Sequence, residues 1–426
     1  MKKIGAFGLT AATFFMVSGG PYGLEELVLK TGYGGAIAVI FVLAIAWALP
    51  TGLMVGELAS AIPGEGGFYV WVRRAMGPFW GFQEAWLSLA SSVFDMAAYP
   101  TLFVLSLGQL WPSTKEHSFA ISASLIGLCV IWNLWGAKAV GDASIWLGAI
   151  LLAPFALLSI WGFTHGRGTA ATSVPAGPWF GGVIVAMWNF MGWDNASTIA
   201  REVDRPQRVY PRVMIGTLVL IALTYAIPIL AARHAGIPRE AWVEGNWVGI
   251  SADIVGPWLG NVVLAATMIS VLGIVNSLTM SYSRVPPAMA ADGLAPQVLA
   301  KTMSNGVPWV SLLVCGGAWT LALTLSFDRI LLLDILLYGL SLILEFAALV
   351  VLRIKEPELV RPFRVPGGVV ATIGIGIAPT ALLITAFVAN RDEQVGGMSA
   401  AMLALIIMLA GLVLYACRAW ASSGKR

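Results

Sequence analysis

The stretch VSGGPYGLEE, residues 17–26, interrupts an apolar segment that begins at Ile4. Pro21 removes a backbone donor, and Gly19 and Gly20 raise the cost of remaining helical, so a helix is expected to unwind there. At 1.5 Å per residue, Ile4 to Gly20 spans about 24 Å and Gly20 to Lys30 about 15 Å, which puts the break inside a bilayer rather than at its edge. A second irregularity, NFMGWDN at 189–195, followed by the cap-type residues Ser197 and Thr198, interrupts a later apolar segment. Unwound backbone is tolerated in lipid only where it lines a cavity, and interrupted segments in corresponding places of two halves point to an inverted repeat with a site near the midplane. A lone kink would carry little, because Gly and Pro are frequent in membrane helices. Two breaks five spans apart carry the argument.

Composition agrees with lipid as the solvent. The 426 residues are 58% apolar and 11% charged, where a soluble domain carries about 25% charged residues. A bilayer core of about 30 Å needs roughly 20 apolar residues per helix, so gaps between charges serve as a ruler. Ten charge-free gaps of that length occur, from 4–24 to 394–417. Two further apolar stretches contain acids: Glu84 and Asp95 in 79–108, Asp334 and Glu345 in 328–352. The expectation is an all-α integral membrane protein of twelve transmembrane helices, divided into a first repeat (4–162, spans 1–5), a second (179–352, spans 6–10) and spans 11–12 (367–420). The opening MKKIGAFGLTAATFFMVSGG also has signal-peptide composition, but the segment resumes after Pro21 and eleven spans come after it, so it is read as span 1.

With the N-terminus inside, 18 of the 25 Lys and Arg fall in cytoplasmic segments and seven outside, a bias that orients the chain with both termini cytoplasmic. Trp80, Trp111, Trp161, Trp179, Trp258 and Trp309 lie near span ends, where indoles settle at headgroup level; Trp188 and Trp193 do not. The net charge is only +3, and no basic run interleaved with aromatics could track a phosphate backbone, so nucleic acid is not an expected partner. Cys129, Cys315 and Cys417 are scattered in apolar stretches and suggest neither disulfides nor a metal site; they read as packing residues. No cofactor is indicated.

Several stretches resemble the amino acid/polyamine/organocation transporter superfamily, and in detail its polyamine:proton symporter branch. They are VSGGPYGLEE (17–26), ELASAIPGEGGFYVWV (57–72), GFQEAWLSLASSVFDMAAYP (81–100), WNFMGWDNASTIAREVDRPQRVYPR (188–212), ADGLAPQVLA (291–300) and LEFAALVVLRIKEPELVRPFRVPGG (344–368). The resemblance implies a ten-helix inverted-repeat core of the LeuT type with helices 1 and 6 broken, and proton-driven uptake of amino acids or polyamines across a plasma membrane. In the family's amino-acid carriers, bare amides after the first break hold a substrate carboxylate, so Ser18, Gly19 and Gly20 are candidate substrate contacts. A leucine at Gly20 is expected to fill the cavity. Trp188 matches the aromatic that covers the substrate in family carriers.

Buried acids are costly in a membrane, so each is a functional candidate. Glu25 and Glu26 come just after the first break, where carboxylates also favour a helix N-terminus. An anionic Glu25 would repel a carboxylate and attract an amine. Asp95 lies about 24 Å along span 3 from Phe79, and Tyr99, four residues on, shares its helical face. Asp194 lies within the second break, where it can also cap the half-helix beyond. Glu25, Asp95 and Asp194 are candidates for both substrate binding and proton coupling. Asp334 and Glu345 read as structural or gating, and Glu57 and Glu84 as residues near the cytoplasmic mouth. Gly64-Glu65-Gly66-Gly67 lacks the Lys and Ser/Thr of a phosphate cradle and reads as a tight turn.

An embedded enzyme is the first rival, but His117, His165 and His234 all fall at outer ends or loops, and no nucleophile has an adjacent base. A cation channel is the second; broken helices in two halves favour alternating access. Among carriers the rival is a neutral or broad-specificity amino-acid permease or antiporter. Coupling to sodium stays open beside protons, because Ser277, Thr279 and Ser281 could supply oxygens, though hydroxyls are also routine glue between spans. Some proton-coupled relatives place a Lys in span 5, and Ala143 to Gly162 contains none. The expected partners are a small amine or amino acid, protons, the bilayer and a possible second copy of the chain.

Overall fold

The computed structural model describes residues 3–166, 168, 180–324, 327–389, 394–395 and 397–423. Helix α1 (Ala6–Val17) stops at Ser18, and helix resumes with α2 (Glu25–Leu43). Gly19 and Gly20 hold the gap open at φ of +67° and +107°, backbone that L side chains rarely adopt. Helix α2 is itself kinked at Gly32 (φ 70°, ψ 172°) and passes through a π-helical turn, Ala44–Ala48, into α3 (Leu49–Ala61). Next come a short α4 (Phe68–Met76) and the long α5 (Pro78–Leu110), separated by Gly77 at φ +95°. The first half closes with α6 (Ser118–Asn133) and α7 (Ala137–His165).

Helix α8 (Phe180–Trp188) ends at the second break. Beyond the break the chain does not form the expected α-helix. Asp194–Thr198 and Ala200–Glu202 are 3-10 turns, and no side chain caps them. Then come α9 (Pro206–His234), α10 (Trp247–Ile254), α11 (Pro257–Tyr282), α12 (Val285–Ala291), α13 (Trp309–Ala322), α14 (Phe327–Lys355), α15 (Gly368–Ala389) and α16 (Ala400–Ser423). A two-residue hairpin, Gln394–Val395 with Met398–Ser399, provides the only strands among the described residues.

Eight helical stretches are long and apolar enough to cross a membrane: Glu25–Ala61, Pro78–Leu110, Ala137–His165, Pro206–His234, Pro257–Ala291, Leu333–Lys355, Gly368–Ala389 and Ala400–Arg418. Helices α1 and α13 are apolar but shorter. The outer surface is apolar, with Phe7, Trp146, Leu321 and Val370 all more than two-thirds exposed, a surface that water would penalise and lipid accepts. Trp80, Trp111, Trp161, Trp258 and Trp309 are exposed as the span-end reading expects. Trp179 and the start of the second repeat at 179 lie outside the described residues, as do Lys2, Arg167, Arg391, Lys425 and Arg426. Cys129 and Cys315 are buried; Cys417, expected to pack, is exposed instead.

Two features position the interior. Helices α5 and α14 lie side by side and antiparallel. Ser91 of α5 meets Asp334 of α14 at one level, while Arg74 meets Glu356 and Lys355 Nζ donates to Ala75 O (3.1 Å) at the other. Near the chain's start, Ile4 N donates to Glu202 O and Asp204 N donates to Ile4 O, both at 2.9 Å. This parallel bridge of Ile4 with Val203 joins the foot of α1 to the end of the second break.

Candidate functional site

Backbone groups freed by a break must find partners when water is excluded. In the first break, Ser18 Oγ accepts from Gly20 N (3.1 Å), Ser270 Oγ donates to Gly19 O, and Trp247 Nε1 donates to Pro21 O at 3.0 Å. In the second, Tyr225 Oη donates to Asn189 O (2.6 Å), and the indoles of Trp47 and Trp193 both donate to Phe190 O at 3.0 and 2.9 Å. Tyr210 Oη donates to Ala196 O at 2.6 Å, and Ser281 Oγ to Asn195 O at 2.9 Å. The end of α1 touches the second break at Gly192 (φ +91°), where a Cβ would lie 2.3 Å from Met16 O. The turn at 64–67 seats on the same region. Gly66 N donates to Thr198 O (3.0 Å), and a Cβ on Gly67 would meet Ser197 Oγ.

Between the end of α1 and the second break lies a small cavity, with free space of about 10 Å³, room for about one water. Helix α5 contributes Asp95 and Tyr99, α8 contributes Trp188, and α14 contributes Asp334 and Tyr338; Met16, Met191, Gly192, Asn195 and Tyr282 complete the lining. Tyr282 Oη donates to Asp95 Oδ2 at 3.2 Å, and Ser91 Oγ donates to Asp334 Oδ1. Tyr338 Oη donates to Asp194 Oδ1 at 2.6 Å and accepts from Gly192 N at 3.0 Å. Tyr99 and Trp188 stack with centroids 5.3 Å apart and planes 19° from parallel. Asp95, Asp194 and Asp334 are all buried, and no ion pair reaches any of them among the described residues.

Of the residues singled out by sequence, the cavity gathers Asp95, Tyr99 and Trp188, and Asp194 joins them through Tyr338. It does not gather Ser18, Gly19, Gly20 or Glu25. The groups of the first break are occupied by one another and by Ser270. A side chain at Gly20 would point at Leu151 and Tyr22, 3.4–3.5 Å away, rather than fill the cavity. Glu25 is buried with Oε2 unpartnered, and Glu26 is half-buried and pairs with Lys30 at 2.5 Å. Asp334, read from sequence as structural or gating, lines the cavity. Tyr338 and Tyr282 were not among the residues singled out, and Asn195 was noted only as part of the second break. Asp334 and Tyr338 stand four apart, the spacing that places two side chains on one helix face, and that was the available signal.

Glu57 and Glu84, read as residues near the cytoplasmic mouth, are both fully buried. Glu57 receives Arg353 through Nε at 2.6 Å and Nη2 at 2.5 Å, with Arg361 Nε at 3.1 Å and Val365 N at 2.8 Å. Outside the apolar stretches, burial raises the Glu65 carboxyl against the opposing charge of Arg284. Ser277 sits 3.4 Å from Ser144, and Ser281 also bonds Asn195 Oδ1, so two of the three hydroxyls considered for sodium serve interhelical packing; Thr279 Oγ1 has no partner. Among the described residues no group of three or more His, Cys, Asp or Glu could hold a metal ion.

A bundle of apolar helices closed around an acid-lined cavity between two breaks is the build of a multi-pass membrane transporter. The model of the amino acid permease family matches residues 10–420, and the chain belongs to that family. It is 32% identical over 424 residues to the polyamine transporter RMV1 of Arabidopsis thaliana, covering 98% of this chain and 85% of the relative. Over 388 residues it is 30% identical to the polyamine transporter PUT1 of Oryza sativa subsp. japonica, covering 90% and 73%. A Legionella pneumophila protein named as the uncharacterized transporter lpg1691 is 26% identical over 435 residues, covering 93% and 91%. The chain is a transporter of the amino acid/polyamine/organocation superfamily, in its polyamine transporter branch.

Proposed function

We propose that the protein is a secondary carrier that takes up polyamines by proton symport. The observation that carries this reading is the convergence of Asp95 and Asp334 on one cavity, with Asp194 joined to it through Tyr338 and no cation paired to any of the three among the described residues. A buried charge must be paired, and a diamine brings one ammonium for each end of such a site. Asp194, held by Tyr338, receives one ammonium; Asp95 and Asp334 receive the other. Trp188 and Tyr99 cover the alkyl chain, the indole face attracting the cation. An amino acid's carboxylate meets only repulsion here, and the Gly20 amide that would greet it is already bonded to Ser18.

On this reading the chain spans a plasma membrane twelve times, the short helices α1, α6, α8 and α13 completing spans that the two breaks and the interior shorten. Residues 4–162 and 179–352 form the two inverted repeats, 367–420 the last two spans, and both termini are cytoplasmic. Two broken helices beside a small acid-lined cavity suit alternating access rather than a continuous pore. Protons are favoured over sodium because the site offers carboxylates and most of the span-8 hydroxyls are engaged elsewhere. Sodium-free proteoliposomes with an inward proton gradient should accumulate labelled putrescine, and a protonophore should abolish the accumulation. Unlabelled spermidine should compete, and a neutral amino acid should not. Accumulation that persists with protonophore and requires sodium overturns the coupling; displacement by neutral amino acids overturns the substrate.

A further inference from the structure

Eleven residues separate Glu84 from Asp95 on α5, and eleven separate Asp334 from Glu345 on α14. That is close to three helical turns, so each helix carries its two acids on one face, about 16 Å apart along the axis. Because α5 and α14 are antiparallel, the two aspartates share the cavity and the two glutamates come together three turns away, toward Met76 and Lys355.

Neither glutamate lines the cavity, and both are 0% exposed. Glu84 Oε1 accepts from Ser88 Oγ at 2.8 Å, while Glu84 Oε2 and both oxygens of Glu345 have no hydrogen-bond partner among the described residues. The titratable groups within electrostatic reach are Asp194 for both glutamates, each glutamate for the other, Tyr338 beside Glu345, and Tyr69 of α4 beside Glu84. All are acids or phenols. No Lys, Arg or His pairs with either glutamate among the described residues. An ionised carboxylate with no partner in a dry interior is strongly disfavoured, and two side by side repel as well. The same carboxyl carrying a proton is neutral and can donate to its neighbour.

We propose that Glu84 and Glu345 form a proton-holding station, distinct from the substrate cavity, that relays the coupling proton between Asp194 and the α4 side of the protein. The inference rests on the carrier reading above. A proton leaves the Asp194 carboxyl for Glu345 and passes to Glu84. The exit lies at Tyr69, whose Oη donates to Asp292 Oδ2 at 2.8 Å, and Asp292 meets the part-exposed Arg73 at 3.0 Å. Each cycle returns both glutamates to their starting protonation, and the proton is taken up and released as bulk acid.

The test separates substrate movement from proton movement. Glu345→Gln and Glu84→Gln are reconstituted singly, with Glu345→Asp as a variant that keeps the carboxyl. Counterflow of labelled against unlabelled putrescine, which needs no net proton transfer, should stay within about twofold of the unmodified protein. Proton-driven accumulation, and internal acidification read by a trapped pH dye, should fall at least tenfold in both glutamine variants. Glu345→Asp should retain acidification with a displaced pH profile. Full acidification in either glutamine variant overturns the proposal, as does equal loss of counterflow and acidification in monodisperse protein. Absence of putrescine counterflow in the unmodified protein would instead sink the carrier reading itself.

Discussion

Tyr338 stands on α14, 144 residues from Asp194, and its hydroxyl joins that carboxylate at 2.6 Å while receiving the Gly192 amide at 3.0 Å. One phenol thus fixes both the acid and the backbone of the second break. Removing it leaves a buried amide unpaired, which costs about 1–3 kcal/mol. Tyr338→Phe is therefore expected to lower thermal stability and raise the putrescine KM together. Asp194→Asn keeps the shape and removes the charge, and should reduce diamine uptake at least about tenfold, or 1.4 kcal/mol. Uptake assays beside thermal melts in detergent check both; an unchanged KM in Asp194→Asn would exclude it from recognition.

Asp334 should matter as much as Asp95. Substituting either with Asn is expected to weaken diamines at least about tenfold while affecting a monoamine of similar length less, because one ammonium still finds Asp194. Competition assays with putrescine and butylamine measure the difference. Equal loss for both amines would mean that the two aspartates do not receive a separate ammonium.

Trp188 stacks on Tyr99 over the cavity. Trp188→Ala forfeits the indole face, about 0.5–2 kcal/mol for a cation, or about 2- to 30-fold in KM. Trp188→Phe should recover part of that loss, and initial uptake rates over a range of putrescine concentrations give the ranking.

Two glycines that look alike in sequence differ in consequence. Gly192→Ala drives a Cβ to 2.3 Å from Met16 O at φ +91°, and the neighbour is backbone that cannot step aside. It is expected to yield no monodisperse protein. Gly20→Ala meets nothing nearer than 3.4 Å, so its cost is the backbone strain at φ +107° alone, about 1–3 kcal/mol. Expression and size-exclusion profiles of the two variants decide.

Two ion pairs near the C-terminal end of α14 should differ in weight. Arg353 and Glu57 are fully buried, so Arg353→Ala is expected to cost about 3 kcal/mol, the low end for a broken buried pair because Arg361 still reaches Glu57. Arg74 and Glu356 are part-exposed at 2.6 Å, and Arg74→Ala should cost under about 1 kcal/mol. The hydrogen bonds from Arg74 hold the Glu356 carboxyl below its ordinary value. A lowered carboxyl contributes stability above the unfolded-state pKa and loses it as pH falls through the folded one. The small difference between Arg74→Ala and the unmodified protein should therefore vanish in acid, which melts at pH 7 and pH 3 compare.

The breaks were legible because Gly and Pro announce them, and the buried acids because charge is rare in an apolar run. The course of the chain around a break was less so. Sequence cannot give the heading of the half-helix beyond it, and that heading turns Glu25 away from the cavity and makes the stretch after Asp194 3-10 rather than α. The acids of span 10 looked structural when weighed singly; only the facing helix shows that Asp334 opposes Asp95. Arg353 and Glu57 are 296 residues apart, and nothing local in either segment announces the partner.

The junction of Ile4 with Glu202 and Asp204 is made of main-chain groups alone. Every residue carries a carbonyl and every residue but proline an amide N–H, so the hydrogen bonds of the seam do not depend on which side chains flank it. The side chains there answer to other contacts, Ile4 and Val203 being fully buried and Glu202 paired with Arg284 at 3.0 Å. A proline at Ile4 or Asp204, which deletes the donor, is the replacement it does not tolerate. The tie between α1 and the second break thus has two independent supports, main-chain bonds indifferent to side-chain identity and packing that is not.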